Sequence, residues 1–118
     1  MIAHGKFIPI INENDVVSYE EIKFGDNDRL SAEVALMVKA SRLVILSNIE
    51  GLSTSQDGKG DLIPVVKKVD ASIEALAGKT NSQTSVGGMV SKLIAAKLVN
   101  GARIPMWIAN GRRKNILV

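Results

Sequence analysis

At 118 residues the chain is one domain or part of one, and a hydrophobic fraction of 46% suits a packed core and excludes a disordered chain. Net charge is +3, from 15 basic and 12 acidic residues, too small to demand a nucleic-acid partner. With no cysteine there is no disulfide framework or thiolate metal site; the single histidine, His4, forms no metal cluster, and no apolar run approaches the roughly 20 residues of a membrane span.

Phe7 to Ile11 is a short apolar run that predicts a buried strand, ending abruptly in the polar Asn12, Glu13, Asn14 and Asp15. Val16 to Phe24 is mixed and predicts a hairpin or irregular excursion. Gly25-Asp26-Asn27-Asp28 has the chemistry of a helix start, and Leu30, Val34, Met37 and Val38 recur at helical spacing over Arg29 to Ala40. Leu43 to Leu46 is continuously apolar, as a parallel strand covered on both faces requires.

Gly51 to Asp61 reads as a loop, and Leu62 to Val66 as an edge strand, because Pro64 disfavours a central one. Asp70 can cap a helix over Ala71 to Ala77, closed by Gly78. Lys79 to Val86 is polar and reads as a mobile connection. Met89 to Val99 predicts a helix closed by Asn100-Gly101, Ile104 to Ala109 a strand, and Asn110-Gly111 a turn. Trp107 reads as core.

This order of strands and helices points to an α/β layer with parallel strands. Ligands bind such sheets beyond the carboxyl ends of the strands, where Asn12 to Asp15, Ser47 to Gly51 and Asn110-Gly111 fall. In Gly87-Gly88-Met89-Val90-Ser91-Lys92 a glycine turn opens a helix, with a lysine four residues after Gly88. Free N–H groups at a helix start and the helix dipole favour an anion there, and Lys92 can lie on the same side. A plain loop-to-helix junction with a surface lysine gives the same spacing. The amides and carboxylates of Asn12 to Asp15 and Gly25 to Asp28 suit an amino-acid substrate, or equally helix capping and polar turns. Gly78-Lys79-Thr80 is no Walker A loop, since the glycine needed five residues earlier is Ile73. Arg112-Arg113-Lys114 reads as solvated surface.

Taken in order, Pro9-Ile10-Ile11-Asn12-Glu13-Asn14-Asp15, Ile22 to Asp28 with Leu30-Ser31-Ala32, Leu46 to Leu52, and Gly87-Gly88-Met89-Val90-Ser91-Lys92 resemble the amino acid kinase family, and within it the glutamate 5-kinases. The resemblance covers nearly all of residues 1–118 but only the C-terminal, nucleotide-binding portion of the family's kinase domain. It implies a three-layer α/β/α sandwich with a mainly parallel sheet, incomplete here. It also implies ATP-dependent phosphorylation of the glutamate side-chain carboxylate to glutamyl 5-phosphate, the first step of proline biosynthesis, with Mg²⁺.

By the same resemblance, Lys92 stabilises the transferring phosphoryl group and Asp28 organises the catalytic lysines. Asp15, Asn27 and Asn12 hold glutamate, while Ser47, Asn48 and Gly87 through Lys92 hold the nucleotide. The family usually has Thr-Asp at Ser47-Asn48 and Thr at Val86. The resemblance further implies a homo-oligomer that responds to proline, while the lack of cysteine, of a membrane span and of a signal-peptide pattern at Met1 to Lys6 leads to the expectation of a cytoplasmic protein. The family's first glycine-rich turn and second catalytic lysine have no counterpart here, so the 118 residues alone are expected to be inactive. The alternatives are a non-catalytic nucleotide- or amino-acid-binding fragment and a kinase with a different acceptor.

Overall fold

The computed structural model describes residues 7–12, 26–55, 57, 59–78 and 86–118. Five elements follow in order: α1 (Asp26–Met37), β1 (Leu43–Ser47), α2 (Ala71–Leu76), α3 (Val86–Gly101) and β2 (Met106–Asn110). The expected excursion over 16–24, most of the connection over 79–86, His4 and Asp15 lie outside the described residues.

β1 and β2 pair in parallel, from Leu43 opposite Met106 to Ser47 opposite Asn110. Strand alternation sends Leu43, Ile45, Met106 and Ile108 to one face, where α1 and α3 cover them. Ala32, Ala35, Ile45, Ala95, Val99 and Ile104 are buried together in that layer. The small side chains of Ala32, Ala35 and Ala95 let the two helices approach closely, and α1 makes its main contact with α3.

Beside this core lies a second one. Leu52, Ala77, Met89 and Leu93 are buried there, with Ile49, Ile63, Val66, Ile73 and Val90 packed around them. α2 is only six residues long and owes its start to Asp70. The carboxylate accepts from the backbone N–H groups of Ser72 at 3.0 Å and Ile73 at 3.1 Å. Gly78 follows the helix at φ 82° and closes it.

Both long helices end alike. After α1, Lys39 takes φ 51° and the Ala40 N–H donates to the Ala35 carbonyl; after α3, Arg103 takes φ 60° and the Ile104 N–H donates to the Val99 carbonyl. These are six-to-one closures with a left-handed residue, usually glycine, at the turn. Asn100-Gly101 was the expected stop, but Gly101 lies inside the helix and Arg103 makes the turn. A short turn then leads each helix into the strand that runs back beneath it. The starts of α1 and α3 therefore share one edge with the carboxyl ends of β1 and β2.

Several expectations are corrected. Phe7 to Ile11 forms no strand: it has no sheet partner among the described residues, and Ile8 and Ile10 are almost fully exposed. Leu62 to Val66 contributes only one antiparallel bridge, Ser53 to Leu62, because Pro64 has no N–H to extend a ladder. Trp107 is not core. The period of two turns it to the outer face of the sheet, where it is about half exposed beneath the Arg42 guanidinium, 5.1 Å from the ring centroid. Leu46 lies exposed on that same outer face, so the described residues supply the sheet and one helical layer of the expected sandwich.

Candidate functional site

Helical spacing explains how the site forms. Asp28, Ala32 and Ala35 lie one above another on α1, as do Lys92, Ala95 and Val99 on α3. The alanine contact that joins the helices therefore sets Asp28 against the first turns of α3. The Lys92 ammonium donates to Asp28 Oδ2 at 3.0 Å and to the Gly88 carbonyl at 3.3 Å. The Ser91 hydroxyl lies 2.6 Å from the same Asp28 oxygen and 2.9 Å from the same carbonyl. Lys92 is 8% exposed and Ser91 7%, which places a charge and a hydroxyl where each needs a partner. Asp28 is in the first turn of α1, the end of the helix dipole that favours a carboxylate. Its own carbonyl accepts from the Ser31 hydroxyl at 2.7 Å.

Gly87 and Gly88 do not precede α3 as a turn; they belong to its first turn, because the helix begins at Val86. The first four N–H groups of a helix, here Val86 to Met89, have no intrahelical acceptor. A Cβ built on Gly88 would meet nothing within 4 Å among the described residues, so none of their packing contacts demands glycine there. This ground beside the first-turn N–H groups and an ammonium suits the oxygens of a phosphate. The Met89 and Val90 side chains turn inward to the second core. What those two residues can offer a ligand is backbone.

Among the other expected site residues, Asn12 and Asn27 line one cleft of about 520 Å³, together with Pro9, Ile11, Leu30 and Ser31. The cleft adjoins the start of α1, one residue from Asp28. Ser47 ends β1, with its hydroxyl 3.5 Å from Asn48 Oδ1, at the outer limit of a hydrogen bond. Asn48 is exposed, and the next residue, Ile49, packs on the core that holds Met89 and Leu93. The loop after β1 thus reaches the start of α3. Asp15 lies outside the described residues.

One network at this edge escaped the sequence reading. Glu50 accepts from Asn110 Nδ2 at 2.8 Å and pairs with Arg113 at 2.9 Å. It ties the loop after β1 to the turn after β2. The Asn110 amide, and then Arg113, hold its carboxyl below the ordinary 4.5. Position in the sheet was the available signal, since Ser47 to Gly51 and Asn110-Gly111 were both placed at the carboxyl edge; nothing in the spacing paired Glu50 with Arg113. The remainder of the basic run stays exposed.

Among the described residues no three His, Asp or Glu side chains gather as a metal site, and no helix is long and apolar enough to cross a membrane. Mg²⁺ characteristically needs only one or two carboxylates besides substrate phosphates and water; the two described carboxylates at this edge, Asp28 and Glu50, are engaged by Lys92 and Arg113.

The amino acid kinase family model matches residues 1–110. The chain is 50% identical over 108 residues to a glutamate 5-kinase of Rhodopseudomonas palustris (strain BisA53), covering 89% of this chain and 29% of the relative. It is 50% identical over 110 residues to that of Nitrobacter hamburgensis, covering 89% and 28%, and 47% identical over 116 residues to glutamate 5-kinase 1 of Mesorhizobium japonicum, covering 96% and 31%. The chain spans less than a third of the length of these relatives. A match over nearly the whole chain, together with a parallel α/β sheet and a lysine–aspartate pair at its carboxyl edge, makes this chain a member of the amino acid kinase family.

Proposed function

We propose that these residues form the phosphoryl-transfer side of an ATP-dependent kinase that phosphorylates the side-chain carboxylate of glutamate, giving glutamyl 5-phosphate for proline biosynthesis. The observation that carries the proposal is the sheltered Lys92–Asp28 pair at the start of α3. Identity of about 50% to relatives named glutamate 5-kinase supplies the acceptor.

MgATP would supply the γ-phosphoryl group, and the acceptor a carboxylate that is already nucleophilic at neutral pH and needs no general base. The residues then have two tasks, alignment and charge neutralisation. Lys92 brings a positive charge to the developing negative charge. Two of its three N–H donors go to Asp28 and Gly88, which fix the ammonium and leave a third for the substrate. The first-turn N–H groups of α3 receive phosphate oxygens. Ser47 and Asn48 face the nucleotide. Asn12 and Asn27 hold the amino acid in their shared cleft, with Asp15 as partner to its ammonium.

A cytoplasmic location, self-association and a response to proline belong to the same reading. Size-exclusion chromatography with and without proline tests the last two. A second reading, a nucleotide- or amino-acid-binding module without turnover, draws on Asn48, an amide where the resemblance expects a carboxylate.

One experiment separates the two. The matching segment of the Rhodopseudomonas palustris relative is replaced by this chain, and acyl phosphate is trapped with hydroxylamine. Hydroxamate that depends on both ATP and glutamate supports the kinase. A folded chimera that binds ATP without forming hydroxamate supports the module.

A further inference from the structure

The kinase reading places Ser91 on the nucleotide, yet its hydroxyl is buried and points at Asp28. We propose that Ser91 is a positioning residue, which acts on Lys92 through Asp28 and does not touch the nucleotide. The inference rests on the kinase reading for its catalytic consequence, but not for its geometry.

The hydrogen count supports it. A serine hydroxyl has one proton to donate, and Ser91 has two acceptors in reach: Asp28 Oδ2 at 2.6 Å and the Gly88 carbonyl at 2.9 Å. The shorter contact runs to a charged oxygen, and charge-assisted bonds are roughly twice as strong as neutral ones. Turning the proton to Gly88 would leave an oxygen lone pair facing the carboxylate at that short distance. The proton therefore goes to Asp28, and the Gly88 carbonyl is left to the Lys92 ammonium.

The consequence is geometric. One oxygen of Asp28 receives two neighbours from the same helix, Ser91 and Lys92, which come off α3 in adjacent positions. Without the hydroxyl the carboxylate is free to rotate toward the lysine and take a second N–H. The ammonium would then be held closer to Asp28 and farther from a substrate. Ser91 thus keeps the pair strong enough to orient the lysine without engaging all of its donors.

The test needs two readouts. In the full chain, NMR of the Lys92 side-chain ¹⁵Nζ–H₃ group reports ordering of the ammonium, since exchange is slowed only while its hydrogen bonds persist. Ser91→Ala is expected to broaden or shift this resonance, Ser91→Thr to preserve it. In the chimeric kinase, Ser91→Ala is expected to lower kcat by about tenfold to a hundredfold with KM for ATP unchanged, as loss of a bond to a charged group implies, and Ser91→Thr to recover most of the rate.

A raised KM for ATP at unchanged kcat would put Ser91 on the nucleotide and overturn the proposal. So would an unaltered Lys92 resonance in Ser91→Ala. If the unsubstituted chimera makes no hydroxamate, the kinase reading fails, while the Lys92 resonance still decides what Ser91 does.

Discussion

Two stretches of α3 carry the same chemistry in different surroundings. Near its start, Lys92 meets Asp28 with side-chain exposures of 11% and 17%; further along, Lys97 meets Glu74 at 45% and 47%. Each is a lysine–carboxylate pair that joins α3 to another helix. The outer pair is bathed in solvent, its attraction is screened, and two long side chains lose freedom to form it; such pairs contribute roughly 0–1 kcal/mol. The inner pair sits in a lower effective dielectric, is braced by Ser91 and the Gly88 carbonyl, and leaves an uncompensated charge if either partner is removed. Charge complementarity alone therefore does not distinguish the two lysines; the role proposed for Lys92 rests on its shelter and shared hydrogen-bond network.

The sharpest way to break this contrast is to remove the two lysines in turn. Lys92→Met in the chimeric kinase is expected to reduce turnover by roughly a thousandfold, the scale of losing a main electrostatic stabiliser of a transition state. Lys97→Met, on the same helix, should leave kcat within about twofold. A similar loss from both would mean that α3 needs its lysines for folding rather than chemistry.

Stability should divide the same way. Asp28→Ala leaves a sheltered ammonium without its counter-charge and makes it share the Gly88 carbonyl with a buried hydroxyl, and is expected to cost about 1–3 kcal/mol in a urea titration. Glu74→Gln should change the unfolding free energy by less than about 0.5 kcal/mol.

The helix ends offer a smaller, opposite effect. Arg103 holds φ 60° where glycine is favoured, so Arg103→Gly should stabilise the chain by about 0.5–1 kcal/mol. A fall in the urea midpoint would mean that Arg103 makes contacts worth more than the strain.

The carboxylates give the smallest effect and a pH signature. Asp70 is held below its ordinary 3.8, first by the Ser72 hydroxyl and then by the Ile73 N–H. A carboxyl whose folded pKa is depressed contributes stability that is complete above the unfolded value and fades as pH falls through the folded one. Asp70→Ala should therefore flatten the acid limb of the stability curve below about pH 4 and leave the region near pH 8 parallel to the parent.

Much of the layer around the site was legible in the sequence. Leu43 to Leu46 and Ile104 to Ala109 are strands to within two residues, Asp70 caps α2, and a helix follows Gly25, although it begins at Asp26, three residues before the expected Arg29. The Lys92–Asp28 meeting was implied by a resemblance, yet the spacing contained an independent signal. Ala32 and Ala35 follow Asp28 at one helical stripe, and Ala95 follows Lys92 at another, so helices that touch through alanines bring these two charges together.

What the sequence misplaced has identifiable physical causes. Phe7 to Ile11 has the composition of a buried strand, but a strand needs a partner, and composition does not say which residues provide it. Trp107 looked like core because its neighbours are apolar; alternation in β2 sends Met106 and Ile108 inward and turns the tryptophan out. Gly87-Gly88 looked like a break before a helix, yet glycines in a first turn cost a helix little, and α3 simply begins earlier. The Glu50–Arg113 tie joins residues more than sixty positions apart, beyond the reach of any local pattern.

A double-substitution cycle on Lys92→Met and Asp28→Asn, read as kcat in the chimeric kinase with the fold checked by circular dichroism, is the most direct measurement. If Asp28 works by orienting Lys92, the double variant is no slower than Lys92→Met alone. Losses that multiply would show the two residues acting independently, and would contradict a phosphoryl-transfer site built on their pairing.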